Sequence, residues 1–451
     1  MDVISIAERR AAMSANVIIP DTSHETIQAV AMQALGIVAF AEGQWWRFGE
    51  LGAWVPMSSS AIWREVRALN GVETLEGANG KDPGKCIRVT AGMCESVEAL
   101  ARSRFDDVGF FASSARGFIS PAGLWTCSAS GWTCRAPLPD DRVRMFVDMN
   151  PDFDADPPKW GAVLHRLWSH ETDYHERFLF AHEFLGAVLC GVTTRHQVSP
   201  ILVGDGENGK SIVVDVFSAC VPPVLRCSVT PEDLENNQFA SSRLVGKALN
   251  AVPELPAGEL MSSHRIKAII DGSEQTAERK HKDGALFRPF AGHIFAANAL
   301  PRVRDLSHGF WRRWVPMTCT SPRLTDAERK LDFAAEIIAS ELPAIIGHAM
   351  RCYEAMVRRG GRYTVVPSAA VALREWRGES DSVQAWLDEE CEPGGPSTVR
   401  GLYEHYCSHA RSNGSMPVGS KRFAQRLTVL GYPDVPSRTS RMRGVAVRIG
   451  P

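Results

Sequence analysis

Apolar residues along this chain follow two periods, and the places where one gives way to the other mark its elements. Near the amino terminus, Thr22-Ser23-His24-Glu25 has the T-x-x-E form of a capping box, and Ile27, Val30, Ala31, Ala34, Leu35 and Val38 then recur at helical spacing. The period shortens at Gln44-Trp45-Trp46-Arg47-Phe48 and Ala53-Trp54-Val55, two aromatic runs about a glycine turn, which predicts a hairpin. Ser58, Ser59 or Ser60 then caps a helix carried by Ile62, Val66 and Leu69. Residues Asn79 to Pro83 read as a linker, Cys94 to Phe105 as a helix, and Gly109 to Cys134 as a β-rich stretch punctuated by Gly117, Gly123 and Gly131. An acidic, proline-bearing loop, Asp148 to Pro158, separates this region from two helices at Trp160–Trp168 and Tyr174–Cys190.

The pattern is sharpest from Ser199 to Phe217. Ile201-Leu202-Val203 is a short apolar run bounded by Pro200 and Gly204, and Ile212, Val213, Val216 and Phe217 return to helical spacing. Between them stands Gly204-Asp205-Gly206-Glu207-Asn208-Gly209-Lys210-Ser211, the form G-x-x-x-x-G-K-[ST] in the strand–loop–helix setting that this motif requires. Its glycines let backbone N–H groups curl around a β-phosphate, and the helix N-terminus adds its dipole. The Lys210 ammonium can reach the β- and γ-phosphates, and the Ser211 hydroxyl can hold Mg2+. Residues Gly204 to Ile212 are therefore the expected ATP cradle.

Four features follow in order. Leu244 to Val252 reads as a strand that ends in Pro253-Glu254-Leu255, so Glu254 sits where a carboxylate could face the metal and the attacking water. Arg279, Lys280, His281 and Lys282 beside Asp283-Gly284 form a basic hairpin tip, either a solvated turn or a phosphate contact. His293 to Ala297 is a strand ending at Asn298, whose amide could sense a γ-phosphate. Arg312 and Arg313 precede a further strand, where guanidinium groups can complete a neighbouring subunit's site.

In the tail, Val383–Leu387 and Val399–Cys407 are helical by pattern, Ser420–Leu430 is a further helix, and Arg443–Ile449 a strand. Lys421, Arg422, Arg426, Arg438, Arg441, Arg443 and Arg448 leave it basic, with Glu404 and Asp434 the only acids past Pro393. A winged helix on duplex DNA fits this pattern; a basic packing surface is the other reading.

Composition narrows the picture only a little. A chain of 451 residues with 44% hydrophobic and 23% charged content is expected to form two or three globular domains. Its net charge of −2 gives no global basic field, so any nucleic-acid contact must be local. The rings of the amino-terminal hairpin could stack on bases, but a sheet core uses them equally well and is the expectation. No secretory signal or membrane anchor is expected. The eleven cysteines include no C-x-x-C; Cys127 and Cys134 are wrongly spaced for a zinc ribbon, and reduced thiols in a cytoplasm are the expectation. His175 and His182 lack zincin spacing and are expected to be structural.

The succession Gly204–Ser211, Leu244–Glu254, Lys267–Lys282, Phe295–Pro301 and Phe310–Pro316 resembles the superfamily 3 helicases, in the phage, plasmid and poxvirus-type primase–helicase branch. The resemblance implies an α/β fold with an AAA+ P-loop ATPase core, a parallel sheet flanked by helices. Around it would stand an α+β accessory domain (1–150), a helical lead-in (151–198), the core itself (199–360) and a basic winged helix (361–451). It implies Walker A at Lys210 and Ser211, Walker B at Glu254, sensor 1 at Asn298, the pore hairpin at Arg279, Lys280, His281 and Lys282, and an arginine finger at Arg313 or Arg312. It also implies a homo-hexamer that uses ATP and Mg2+ to move 3′ to 5′ on single-stranded and forked DNA in a bacterial host cytoplasm, with a primase or polymerase partner and no membrane. Pro253, where many relatives carry a polar or acidic residue, and Ser273, where they often carry an acid, depart from the pattern. An ATP-gated origin-binding initiator or loader, and a P-loop NTPase acting on a small molecule, are the alternatives.

Overall fold

The computed structural model describes residues 19–75, 85–256, 260–261, 264–279, 282–303, 305–325, 332–413, 416–435 and 441–448. At its centre lie five parallel strands: β1 (Ser199–Val203), β2 (Arg226–Cys227), β3 (Leu249–Leu255), β4 (Gly292–Ala297) and β5 (Trp314–Thr318). Their order is β5-β1-β4-β3-β2. All six residues of β4 are buried, as expected of a strand covered on both faces.

Two helical layers do the covering. On one face, α1 (Pro158–Trp168), α2 (Tyr174–Leu189), α3 (Lys210–Ala219) and α5 (Phe333–Arg358) share one apolar cluster with Leu202, Leu249 and Ile294. On the other, α4 (His264–Ile270) and Trp376 of α6 (Pro367–Ser380) pack with Ile201, Val252 and Phe295. Helix α5 alone among the described residues has the length and apolarity to cross a membrane; half of that window is buried, against α2, α3 and α1.

Several boundaries move for identifiable reasons. Ser23, not Thr22, caps the first helix, its hydroxyl accepting from Thr26 N at 3.2 Å. That helix stops at Leu35 because Gly36 turns left-handed (φ 79°), and Val38 opens a strand, Val38–Ala41, that joins the predicted hairpin as its third member. The strand expected from Leu244 begins at Leu249, after a 3-10 turn at Ala240–Leu244 and Gly246 at φ 69°. The departure at Pro253 has a structural counterpart: between Phe295 and Ala297 the β3–β4 register slips by one, so Pro253 and Glu254 together oppose one residue.

Two antiparallel sheets make up the amino-terminal region. Strands Val38–Ala41, Gln44–Phe48 and Trp54–Met57 pack among helices His24–Leu35, Ser59–Ala68 and Ala91–Phe105. Trp45 and Trp46 are buried there, so these two rings are core. Strands Gly117–Ser120, Gly123–Ser128 and Gly131–Arg135 rest on the central domain, Trp132 donating to Met350 O at 2.9 Å. At the carboxyl end, helix Ser382–Glu390, strand Cys391–Thr398, helices Val399–Ser412 and Ser420–Val429, and strands Asp434–Val435 and Met442–Val447 close over Trp386, Tyr406 and Phe423. This cluster starts at Val383, whereas α6 lies against β5 and contributes Trp376 to the central domain.

Candidate nucleotide site

The loop after β1 is shaped by close approaches. A Cβ at Gly204 would stand 2.2 Å from Cys319 O, so no larger residue fits beside the end of β5. Gly209 (φ 101°) and Glu207 (φ 63°) take left-handed backbone to swing the chain into α3. Buried Asn208 ties the loop to β5 by donating to Cys319 O at 3.1 Å. Leu324 N donates to Glu207 O at 2.9 Å, so the segment after β5 rides on the loop.

Gly209, which has no side chain, is the N-cap of α3, and Lys210 N donates to Asn208 Oδ1 at 3.4 Å; a helix N-terminus opening on such a loop favours an anion. Lys210 Nζ donates to Gly204 O (2.5 Å), Asp205 O (2.6 Å) and Asn208 Oδ1 (3.2 Å), all neutral acceptors. Burial lowers its pKa, while Cys319, Asp205 and Glu254 act the other way. An ammonium held by neutral oxygens at a helix N-terminus suits a polyphosphate. Ser211 is exposed beside it, and half-buried Ile212 packs into the core under the loop.

Strand order brings in the remaining groups. Because β4 lies between β1 and β3, Asn298 follows β4 on the same edge, its Oδ1 3.9 Å from where a Gly206 Cβ would stand. Glu254 is exposed near the end of β3, its position set by the slip at Pro253; proline in an inner strand is accommodated at such bulges, which also re-aim neighbouring side chains. Lys210, Ser211, Glu254 and Asn298 therefore share the carboxyl edge of the sheet. The Ser211 hydroxyl and the Glu254 carboxylate are oxygen groups of the hard kind that would suit Mg2+.

Arg312 and Arg313 lie at the opposite edge, just before β5. Six residues of extended chain separate Arg313 from Cys319, roughly 20 Å. Arg313 is buried and grips Asp271 with two nitrogens, Nε at 2.8 Å from Oδ1 and Nη2 on Oδ2. Arg312 is 40% exposed and 3.9 Å from the same carboxylate. The hairpin expected at the basic run is present as Gln275–Arg279 and Lys282–Phe287. Lys280 and His281 lie outside the described residues, and only the backbone of Arg279 and Lys282 is described. Ala277 and Phe287 root the hairpin in the core, and Ala285 meets the Glu42-Gly43 turn so closely that a Gly43 Cβ would stand 2.3 Å away.

The histidines and cysteines fall elsewhere. His182 is buried, accepting from Trp160 Nε1 at 3.0 Å and bonding Phe178 O at 2.9 Å, and burial lowers its pKa to about 4. Cys127 pairs in register with Trp132 and Cys134 with Trp125. No group of three His, Cys, Asp or Glu residues suited to a metal occurs among the described residues. One group was not singled out from sequence. Fully buried Arg177 binds Asp173 (2.8 Å), Thr318 O (2.5 Å) and Ser368 Oγ (2.5 Å), fastening the end of β5 beneath the loop. Its helical i,i+4 acid, Asp173, was the only local signal.

A family described only as a family of unknown function, DUF5906, matches residues 202–313, from β1 to the arginine pair. No curated protein matches the sequence. Among solved structures, the apo C-terminal region of NrS-1 is 13% identical, with a TM-score of 0.48 over 94% of this chain and 98% of that one. A second, A-form structure of that region gives 0.47 at 13% identity and the same coverage. A ligand-bound JCV helicase gives 0.23 at 12% identity, over 51% of this chain and 71% of that one. Overlaps of this size leave function to rest on the geometry above.

Proposed function

We propose that this chain is an ATP-dependent DNA helicase of a mobile element, working as a ring with its nucleotide sites between copies. One observation carries the reading: Lys210, Ser211, Glu254 and Asn298 stand at one edge of the sheet, while exposed Arg312 stands at the other. Arg312 is too far away to serve its own chain's loop, but a head-to-tail contact brings it to the next copy's loop. Such heterologous contacts close into rings.

In this reading the α3 amides and Lys210 hold the β- and γ-phosphates, and Ser211 holds Mg2+, which supplies charge neutralisation when bound. Glu254 orients the attacking water and accepts its proton, and Asn298 fixes that water against the γ-phosphate. Arg312 of the next copy offsets the charge that develops at the γ-phosphate. The hairpin between α4 and β4 then moves single-stranded DNA, 3′ to 5′, through the ring. The carboxyl-terminal order helix–strand–helix–helix–strand–strand supports a winged helix, with exposed Lys421, Arg422 and Gln425 on helix Ser420–Val429 facing duplex DNA. That duplex-binding unit favours one second reading, an origin-binding initiator that marks DNA without unwinding it. ATP turnover with and without single-stranded DNA, measured beside assembly mass, tests the proposal: DNA-stimulated turnover by a ring is expected. Turnover by a monomer indifferent to DNA contradicts it, and turnover without strand displacement on a fork selects the initiator.

A further inference from the structure

An acid at the carboxyl end of a helix faces the negative end of the dipole, so it is poorly placed unless a cation holds it there. Asp271 is such a residue. Helix α4 ends at Ile270, Asp271 N donates to Lys267 O, and Gly272 (φ 67°) then lets Ser273 N close on Ala268 O at 2.9 Å. The aspartate is held by Arg313 in the two-nitrogen grip and approached by Arg312 at 3.9 Å. Two guanidinium groups share one carboxylate, which leaves the outer one, Arg312, under-compensated and turned to solvent. Arg313 Nη1 is also buried without a hydrogen-bond partner.

The same two segments are joined at their other ends. Lys267 of α4 donates to Asp305 Oδ2 at 2.7 Å, and Asp305 Oδ1 accepts from Ser307 N at 2.8 Å. Ser307 caps the short helix His308–Trp311 that leads into the arginine pair. Helix α4 and the arginine-bearing segment are thus pinned at both ends, by Lys267–Asp305 and by Asp271–Arg313. Four residues after Asp271, Gln275 begins the first arm of the basic hairpin.

We infer that Asp271 is a positioning residue that couples the arginine pair to the hairpin. A triphosphate on the neighbouring copy competes with Asp271 for Arg312, and the released or tightened clasp shifts α4 and, through it, the root of the hairpin. The inference rests on the ring reading above. Neither the loop after β1 nor Glu254 touches this clasp, so nucleotide binding within the chain does not require it.

The test uses full-length protein, fluorescent-nucleotide binding and anisotropy of labelled oligothymidylate. Wild-type affinity for the oligonucleotide is expected to differ about ten-fold between a non-hydrolysable ATP analogue and ADP, within the usual range for coupled sites. Asp271→Asn is expected to bind the ATP analogue at least as tightly as wild type, because the competing carboxylate is gone, while that ratio falls to within about two-fold. Asp271→Glu, which keeps the charge, is expected to recover most of it; a purely structural role predicts instead that Asp271→Asn lowers stability while the ratio stays at the wild-type value. Should Asp271→Asn fail to fold, Lys267→Met cuts the other tie at a half-buried site and is expected to reduce the ratio likewise. A folded Asp271→Asn or Lys267→Met protein with the full wild-type ratio overturns the clasp alone. A wild-type protein whose DNA affinity ignores the nucleotide overturns the clasp and the ring reading together.

Discussion

The two edges of the central sheet are built on opposite plans. At the carboxyl edge the hydrogen bonds of Lys210 Nζ go to neutral oxygens, so no carboxylate bonded to it answers its charge. At the amino edge Arg313 is buried and its charge is already answered by Asp271. One edge keeps an electrostatic demand open; the other closes it, except at exposed Arg312. A buried cation is thus left open or made architectural according to whether its own chain supplies the counter-charge.

The largest effect expected from this contrast is on stability. Arg313→Ala leaves the half-buried Asp271 carboxylate with only Arg312 nearby and is expected to cost about 2–3 kcal/mol in urea unfolding. Arg312→Ala, at an exposed and loosely paired site, is expected to cost about 1 kcal/mol or less. Equal losses would erase the distinction between the two arginines. Lys210→Ala should act on chemistry instead, lowering ATP turnover about 100-fold or more while the protein stays folded. Unchanged turnover would remove the loop from the site.

A smaller effect reports on the buried imidazoles. Burial lowers the pKa of His182 in α2 and of His293 at the start of β4 to about 4, from an ordinary 6.5. Between these values the unfolded chain binds protons that the folded chain does not, so stability falls as pH drops through that window. At pH 5 each histidine is expected to weaken the fold by about 2 kcal/mol relative to pH 8. His293→Phe should flatten part of that dependence; an unaltered pH profile would show that His293 is not buried neutral.

The same contrast explains what could be read from sequence. The loop at Gly204–Ser211 is contiguous, and its chemistry demands residue types at fixed spacing, so it was legible at once. Asn298 and Glu254 were legible as polar residues at strand ends, but their place on the edge beside the loop depends on β4 lying between β1 and β3, which no local pattern states. The Asp271–Arg313 clasp joins residues far apart in the chain, and sequence alone left the two arginines interchangeable. Likewise α6 follows the expected core boundary, yet Trp376 packs on Trp311 and Trp314 and donates to Pro301 O at 2.7 Å, tying that helix to the central domain. Tertiary pairing, not propensity, decides these points.

The claim that matters most is that each nucleotide site is shared between copies, and mixing two inactive variants tests it directly. Lys210→Ala and Arg312→Ala proteins should each be nearly inert alone. Mixed in equal amounts, about a quarter of the head-to-tail contacts pair an intact Lys210 with an intact Arg312, and turnover should return to about that fraction of wild type. Arg312→Ala protein that is fully active alone, or mixed assemblies that form and stay inert, would contradict the account.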